Sequence, residues 1–423
     1  MAMQNKKLIH SFVVLMSFLV ILTSGCKKSE DPPPSGGQTV NFGALLDLTV
    51  YNPQNGLATQ AAIGFALEDL NRYAATAGRD IKFTCSFADT RLDTTEAKNQ
   101  LKNMIDKGIT MFVASPYTSG ELKAITPFVN QNPVVVINST STAIGLNHTG
   151  SHIFRIITDD SFQAKAIIRA AITEGIKAII PIVRNDVWGN SLAQSFKSGF
   201  TAEGGFVYEG AAYSPSETVF TDLANTVKLQ VNEAIANYGA SKVAVLALTY
   251  SEIAGIFTAA GQYESLGSVK WYGCDGNAQL DELIKDNAHA AFAVKTGFMA
   301  PMIGIGSAWV TPAFTEQLSL KIALQTGVIP SVFALSAYDA AYIMGLAFLE
   351  VGSNDMSKIT SMIPLICNNY AQMGIFRRLN ADNDLEKADY VFWKVLHNQN
   401  GYYWDKFATY WCDSNNFDYR WPQ

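Results

Sequence analysis

Apolar and polar positions follow two alternating patterns from about residue 40 onward. Short apolar runs rich in β-branched residues predict strands over 42–48, 81–87, 111–114, 134–137, 178–183, 206–213, 243–248 and 269–273. Amphipathic stretches between them predict helices over 57–75, 94–107, 120–130, 191–203, 219–238 and 253–266, and the acidic pair Asp159-Asp160 reads as a cap for a helix over 161–174. This alternation is typical of parallel sheets with helices on both faces, and it comes in two similar series.

The last quarter of the chain follows a different pattern. Helices are predicted over 314–325 and 336–351, and strands over 390–396 and 402–410. The tail after Tyr402 is rich in Trp, Tyr and Phe, and packing over the second series is the expected fate of such side chains. The fold class is therefore α/β, with two doubly wound units in a chain of 423 residues.

The first residues read as an export signal. Lys6 and Lys7 precede an apolar run over 8–22, and Thr23-Ser24-Gly25-Cys26 follows. A basic start, a short apolar core and small residues before a cut predict a secretory signal over 1–26, and a cysteine after Ser-Gly predicts lipidation at Cys26. The alternative is an ordinary signal peptide with an incidental cysteine. The Pro- and Gly-rich segment 27–39 predicts a flexible tether.

Composition excludes several classes of function. The net charge is −6, without a long basic run, so the chain lacks the electrostatic footprint of a nucleic-acid-binding protein. None of the other four cysteines belongs to a CxxC pair, which argues against a zinc or redox centre, and we expect no metal and no cofactor. A disulfide between Cys367 and Cys412 is compatible with export, and Cys85 and Cys274 fit buried thiols equally well.

Hydroxyl-bearing residues follow two neighbouring predicted strands. The segment 115–119 reads SPYTS, and the segment 138–142 reads NSTST. Because ligands bind beyond the carboxyl ends of strands in doubly wound sheets, the two clusters together favour a polar ligand there. The alternative for the first cluster is helix capping, since Thr118 and Glu121 have the spacing of a capping box.

A set of short segments, in order and at family spacing, resembles the type I periplasmic binding proteins of the branched-chain amino acid (Leu/Ile/Val-binding) group, the ligand-binding components of ABC importers. The segments that carry the resemblance are 43–46 (GALL), 66–71 (ALEDLN), 88–90 (ADT), 115–120 (SPYTSG), 137–146 (INSTSTAIGL), 154–155 (FR), 187–189 (VWG), 271–276 (WYGCDG), 337–341 (AYDAA) and 380–382 (NAD). The resemblance implies two lobes that are joined by three hinge crossings and close on a ligand. It puts the crossings near Thr158, Thr296 and Gly374, so that 40–157 and 297–373 form lobe 1, and 158–296 and 374–423 form lobe 2.

The resemblance also implies site residues. It assigns Ser119 and the stretch Thr140, Ser141 and Thr142 to the carboxylate of a bound amino acid, and Asp275 to its ammonium. A carboxylate needs such donors, and an ammonium needs such an acid.

The remaining implied contacts are aromatic. Trp188 and Tyr250 match residues that cover the ligand, and Tyr51 stands where the family has smaller residues, which brings a bulky ring to the cleft. Two alternatives stay open. Asp275 lies in an Asp-Gly turn context, and Trp188 fits a core residue at a helix start.

A search for catalytic motifs gives no candidate. The sequence has no HExxH, GxSxG, Walker A or GxGxxG segment, so we expect a binding protein and not an enzyme. We expect a monomeric, lipid-anchored protein of the cell envelope, facing the periplasm or the exterior, that delivers a small polar ligand to ABC permease subunits. The alternative is a sensor or surface lipoprotein with the same fold that acts through another partner.

Overall fold

The computed structural model describes residues 37–146, 151–305, 312–370 and 378–420, and these contain two β-sheets. Sheet 1 consists of the strands β1 (Gln38–Leu46), β2 (Ile81–Asp89), β3 (Met111–Val113), β4 (Val135–Asn138) and β5 (Ile153–Arg155). Sheet 2 consists of the strands β6 (Ala178–Arg184), β7 (Phe206–Val207), β8 (Ala211–Tyr213), β9 (Val243–Leu248), β10 (Lys270–Tyr272), β11 (Met299–Ile303), β12 (Tyr390–Asn398), β13 (Gly401–Trp411) and β14 (Asn416–Tyr419).

Helices cover both sheets. They are α1 (Pro53–Thr76), α2 (Thr94–Asp106), α3 (Ser119–Gln131), α4 (Asp160–Thr173), α5 (Val187–Ala202), α6 (Thr221–Tyr238), α7 (Ile253–Ala260), α8 (Asp281–Lys285), α9 (Asn287–Lys295), α10 (Ala313–Thr326), α11 (Val332–Val351) and α12 (Met356–Asn369). Helices α1–α3 and α10–α12 pack on sheet 1 or on each other, and together they form lobe 1. Helices α4–α9 pack with sheet 2 as lobe 2.

Sheet 1 is parallel, with the strand order β2-β1-β3-β4-β5. This order reverses direction between β1 and β3, and such a switch point opens a crevice at the carboxyl ends of the strands. Sheet 2 is parallel from β7 through β6, β9 and β10 to β11, and β8 also pairs with β6. The antiparallel strands β12, β13 and β14 extend one edge.

Burial explains why the central elements are so apolar. Strands β3, β4 and β9 are buried along their whole length, as expected for parallel strands that are covered on both faces. Helix α11 is long enough and, over its most apolar window of 18 residues, apolar enough to cross a membrane by length and composition. Since 83% of that window is buried, α11 is a core helix of lobe 1.

The predicted elements lie close to the observed ones, with two differences of shape. The strand predicted over 206–213 is broken into β7 and β8, where Gly210 has φ +74° and approaches Pro181 so closely that a Cβ would lie 2.0 Å from its carbonyl oxygen. The helix predicted over 253–266 ends at Ala260, and a short 3-10 turn follows at Leu266–Ser268. Six of the described strands and α-helices were missed: β5, β11, β14, α8, α9 and α12.

The expected second crossing is corrected by the pairing of β11. The sequence put this crossing near Thr296, with lobe 1 resuming at 297, but β11 pairs with β10 and β12 inside sheet 2. The chain therefore leaves lobe 2 only after Ile303, and α10 is the next element of lobe 1. This strand is short, contains Pro301 and is buried on both faces, so it shows no alternating pattern.

Other predictions concern segments at the edges of the description. The signal segment with Cys26, most of the tether and the third crossing at Gly374 lie outside the described residues. Strand β1 already begins at Gln38, within the last two residues of the expected tether. The expected disulfide is absent: Cys412 on lobe 2 is a free thiol, and Cys367 is a thiol buried in the core of lobe 1.

Candidate functional site

Loops from the carboxyl ends of both sheets surround a cavity of about 570 Å³ between the lobes. From lobe 1 the lining includes residues that follow β1, β3 and β4, and from lobe 2 it includes residues that follow β6, β9 and β10. The cavity therefore lies where a doubly wound architecture with two facing sheets concentrates its loops.

Helix α3 begins with a capping box that orients the first hydroxyl cluster. Thr118 caps the helix: its side chain accepts from the backbone of Glu121, and the Glu121 carboxylate accepts from the backbone N–H and hydroxyl of Thr118. The capping interpretation is thus confirmed for Thr118. The next residue, Ser119, does not cap the helix, and it lines the cavity.

The hydroxyl of Ser119 is fixed from the loop after β4. Its Oγ accepts hydrogen bonds from the Ser141 hydroxyl at 3.0 Å and from the Ala143 backbone N–H at 3.1 Å. A hydroxyl that accepts twice still has its own proton to donate, and Ser119 can direct that proton to an acceptor in the cavity. Ser141 is fully buried and does not line the cavity.

Asn138 shapes the loop that carries Thr140 and Thr142. Its Oδ1 accepts from the backbone N–H groups of Thr140 and Ser141, and its amide donates to the carbonyls of Ser115 and Pro116. The β3 and β4 loops are tied together in this way.

A buried chain of hydrogen bonds runs from this loop toward lobe 2. The hydroxyl of Thr142 donates to Asp160 at 3.0 Å, the Gln163 amide donates to the other Asp160 oxygen at 2.7 Å, and the Gln163 oxygen accepts from the Asp275 backbone N–H at 2.8 Å. Thr142 and the backbone of Asp275 therefore belong to one network, and both residues line the cavity. Asp160 is not a cap, because its neighbour Asp159 caps α4.

Asp275 is a buried acid that lacks a full set of partners. It stands in a 3-10 turn directly after β10 and is 6% exposed, and its Oδ1 has no hydrogen-bond partner among the described residues. Burial raises its pKa to about 6. Burial and the proximity of Asp275 hold the pKa of Asp160 well above its usual range. Two neighbouring acids without a basic partner form a site that favours a proton or another cation.

Four aromatic rings stand side by side in the cavity. Trp188 stacks on Tyr250 with ring centroids 4.6 Å apart, Tyr250 contacts Tyr51 at 4.8 Å, and Tyr51 approaches Tyr117 at 6.3 Å. The row crosses between the lobes, since Tyr51 and Tyr117 belong to lobe 1.

Tyr51 also joins the lobes by a hydrogen bond. Its hydroxyl donates to the Gly276 carbonyl at 2.5 Å, and Asp47 holds its loop by accepting from the backbone N–H groups of Val50, Tyr51 and Asn52. A second bond between the lobes runs from the Ile144 backbone N–H to the Ser191 hydroxyl at 3.2 Å. The lobes therefore lie closed over the cavity.

The charged side chains that line the cavity from the described residues are all acidic. Among the described residues that line it, Asp275, Asp281 and Glu282 are acidic and none is Lys, Arg or His. Arg184 lies 4.6 Å from the Tyr250 ring, but it pairs with Asp186 and Glu252 and its charge is balanced there. Such a lining attracts a cationic group.

Seven of the eight predicted ligand-binding residues line this cavity, namely Tyr51, Ser119, Thr140, Thr142, Trp188, Tyr250 and Asp275. Ser141 instead supports Ser119 from behind. Sequence reasoning missed the lining residues Tyr117, Trp393 and Trp404, and it missed the supporting acid Asp160. Tyr117 lies within the hydroxyl cluster itself, so its position after β3 was an available signal.

Comparisons with known proteins agree with this architecture. The family model described as receptor family ligand binding region matches residues 58–391. An uncharacterized protein of Methanocaldococcus jannaschii is 25% identical over 397 residues, which cover 89% of this chain and 92% of that protein.

Two solved structures share the fold. The leucine-binding protein LivK of Thermotoga maritima superposes with a TM-score of 0.69 at 20% identity, covering 89% of this chain and 99% of its own. The substrate-binding protein LivJ of Streptococcus pneumoniae, in complex with isoleucine, superposes with a TM-score of 0.68 at 18% identity, covering 87% and 100%.

Two lobes, each with a doubly wound sheet, around a cavity at the carboxyl ends of their strands give this chain the fold of the type I periplasmic binding proteins. The chain belongs to the receptor family ligand binding region family, whose model matches most of its length.

Proposed function

We propose that this protein is a lipid-anchored, monomeric binding protein of the cell envelope that captures an amino acid or a similar zwitterion and delivers it to an ABC importer. The observation that carries the proposal is that a hydrogen-bond donor and a carboxylate line the same cavity from different lobes. Ser119 offers a hydroxyl proton from lobe 1, and Asp275 offers an unpartnered carboxylate oxygen from lobe 2. A carboxylate and an ammonium on one small molecule satisfy both.

The roles of the residues follow from their atoms. Ser119 and the first turn of α3 receive the ligand's carboxylate, with the helix N-terminus adding partial positive charge. Thr140 and Thr142 border the same region, and Asp275 receives the ammonium. Trp188, Tyr250 and Tyr51 cover the ligand and exclude water, which strengthens each of these interactions.

Capture and release require the lobes to separate and close. The hydrogen bonds that the Tyr51 hydroxyl and the Ile144 N–H donate across the cleft exist in the closed form. A ligand that contacts both lobes adds further contacts between them. A ligand shifts the equilibrium toward closure only by its differential affinity for the closed form, so contacts to both lobes are what makes closure depend on the ligand.

Calorimetry tests the proposal directly. The mature protein is unfolded and refolded to remove any co-purified ligand, and then titrated with each of the amino acids. We expect 1:1 binding of at least one of them, and much weaker binding in Asp275→Asn with a thermal unfolding midpoint no lower than that of the wild type. Failure of every amino acid and related zwitterion to bind would contradict the proposal.

Lipid attachment is proposed from the sequence around Cys26. Metabolic labelling with a radioactive fatty acid, followed by fractionation, is expected to label the wild-type chain in the membrane fraction. Cys26→Ala is expected to abolish the label. An unlabelled wild-type chain recovered as a secreted product would favour an ordinary signal peptide.

A sensing role is the second candidate, because the matching family model describes ligand-binding regions of receptors. Delivery to an importer predicts that deletion of the gene abolishes uptake of the radiolabelled ligand. Normal uptake together with a lost ligand-dependent response would assign the protein to sensing.

A further inference from the structure

The cavity extends beyond the polar groups into an apolar region. Its walls there come from α8 and the turn before it, the end of β11, the start of α11 and the antiparallel strands β12 and β13. We name this region the apolar annex and define it by Leu280, Ile284, Met302, Phe333, Trp393 and Trp404.

The two tryptophans come from the aromatic tail that the sequence left without a function. Trp393 lies on β12 and Trp404 on β13, and both are only partly buried. The Trp404 indole N–H donates to the Leu280 carbonyl at 3.1 Å, which fixes the ring against the loop after Asp275. With that N–H satisfied, the indole can present its apolar surface to the cavity.

The aromatic row has no slot between its rings for an apolar group. Centroid distances of 4.6 Å between Trp188 and Tyr250 and 4.8 Å between Tyr250 and Tyr51 are direct ring contacts, so nothing fits between these rings. A side chain of the ligand therefore cannot insert into the row, and the annex offers it a separate set of apolar walls that includes two tryptophans.

The size of the cavity points the same way. At about 570 Å³ it falls within the range of roughly 300–1,000 Å³ that is typical of sites for drug-sized ligands. A compact branched side chain would leave much of the annex in contact with water. Less apolar surface would then be buried, and binding would be weaker.

We infer that the ligand carries a large aromatic side chain, of the size of an indole, which lies in the apolar annex against Trp393 and Trp404 while its amine faces Asp275. This inference rests on the proposed function, because the polar end of the ligand is taken from it. Ring-on-ring contact with two tryptophans favours an aromatic group over an aliphatic one of equal size.

The test compares ligands and variants by calorimetry on the mature chain. The ligands are valine, leucine, phenylalanine and tryptophan, together with phenethylamine and indole, which lack the carboxylate. We expect tryptophan or phenylalanine to bind at least about tenfold more tightly than valine, as expected for an aromatic contact added to apolar burial.

The variants assign that preference to the annex. Trp404→Ala is expected to weaken the aromatic amino acid at least about tenfold and to leave valine unchanged. Trp404→Phe is expected to restore most of the loss. Trp411 lies on the same strand, β13, but does not line the cavity, so Trp411→Ala is the matched control and should leave both affinities unchanged.

Each outcome distinguishes the two proposals. Equal or tighter binding of valine or leucine, or equal losses for valine and tryptophan in Trp404→Ala, would overturn the annex and leave the amino acid site standing. Binding of phenethylamine or indole alone, lost in Trp404→Ala, would support the annex and contradict capture of a zwitterion. Failure of all six compounds to bind would overturn the annex, and the titrations with the remaining amino acids would then decide the proposed function.

Discussion

Arg155 and Asp384 form a buried ion pair that joins the end of β5 to a segment 229 residues later in the chain. The guanidinium Nε donates to Asp384 at 2.6 Å, and Nη1 also donates to the Ala143 carbonyl at 2.8 Å and to the Ser141 carbonyl at 3.3 Å. Arg155 therefore holds the loop that supports Ser119 while it anchors the chain next to the first crossing.

Removal of one partner of this pair should be costly. Asp384→Asn leaves the Arg155 charge buried, and we expect the free energy of unfolding to fall by about 3–5 kcal/mol in denaturant titrations. Arg378→Ala breaks an exposed pair with Glu386 at 3.8 Å and should cost less than about 1 kcal/mol. Comparable losses in the two variants would show that the buried Arg155 pair contributes no more to the free energy of unfolding than an exposed pair.

The acid of the cavity should control affinity for amines. Asp275→Asn removes a buried charge opposite the ligand's ammonium, and we expect a loss of about 2–3 kcal/mol, or roughly thirtyfold to a hundredfold in Kd. Asp281 lines the same cavity but is exposed and pairs with Lys285 at 2.7 Å, so Asp281→Asn should change Kd by less than about threefold. An amine ligand that binds Asp275→Asn as tightly as the wild type would remove Asp275 from the site.

Binding of an amine should depend on pH through Asp275. Its pKa is raised by burial to about 6, whereas Asp in an unfolded chain titrates near 3.9. The folded, ligand-free protein binds the proton more tightly, so its stability falls as pH rises from about 4 to 6. Because the ammonium pairs with the ionised form, affinity should rise with pH up to about 6 and then level off.

Titrations between about pH 4.5 and 8 check this dependence. Asp275→Asn should flatten the affinity profile over the same interval. Burial and the neighbouring Asp275 also raise the pKa of Asp160. A profile that keeps its slope in Asp275→Asn would assign the titration to another group.

The hydroxyl of Tyr51 should favour the closed form. Tyr51→Phe keeps the ring in the aromatic row but removes the bond to the Gly276 carbonyl, which is worth about 0.5–1.5 kcal/mol. We expect the ligand-free protein to populate open forms about twofold to tenfold more, seen as a larger radius of gyration in X-ray scattering. Tyr73→Phe, on an exposed face of α1, is the control and should leave the scattering curve unchanged.

The features of the site that depend on local sequence pattern could be predicted. Ser119 and Thr142 follow the neighbouring strands β3 and β4, so their position at one edge of sheet 1 followed from the parallel topology. The place of Asp275 on the opposite lobe was implied only by the resemblance. Thr118 and Ser119 show the limit of this reasoning, because adjacent hydroxyls divide between a helix cap and a cavity wall. Only the three-dimensional path of the loop after β4 separates those roles.

The rest depends on contacts that are distant in sequence. Asp160 looks like a helix-start acid, and its burial comes from packing beside Thr142 and Gln163. Trp393 and Trp404 look like ordinary strand aromatics, and they reach the cavity because β12 and β13 extend sheet 2 toward the cleft. Strand β11 was missed because a short strand buried on both faces has no alternating pattern.

The interleaved path of the chain also constrains how it can acquire its structure. Lobe 1 is completed by α10–α12, which pack on β1–β5 only after the parallel core of lobe 2 has been made, and Arg79 near the start of the domain hydrogen-bonds to the Leu349 carbonyl 270 residues later. Neither lobe is built from one continuous stretch of the chain. Neither lobe can therefore be completed until nearly the whole chain has been synthesised. Slow, late assembly of this kind leaves unpaired strand edges and apolar surface exposed in the newly made chain, and such surfaces favour aggregation.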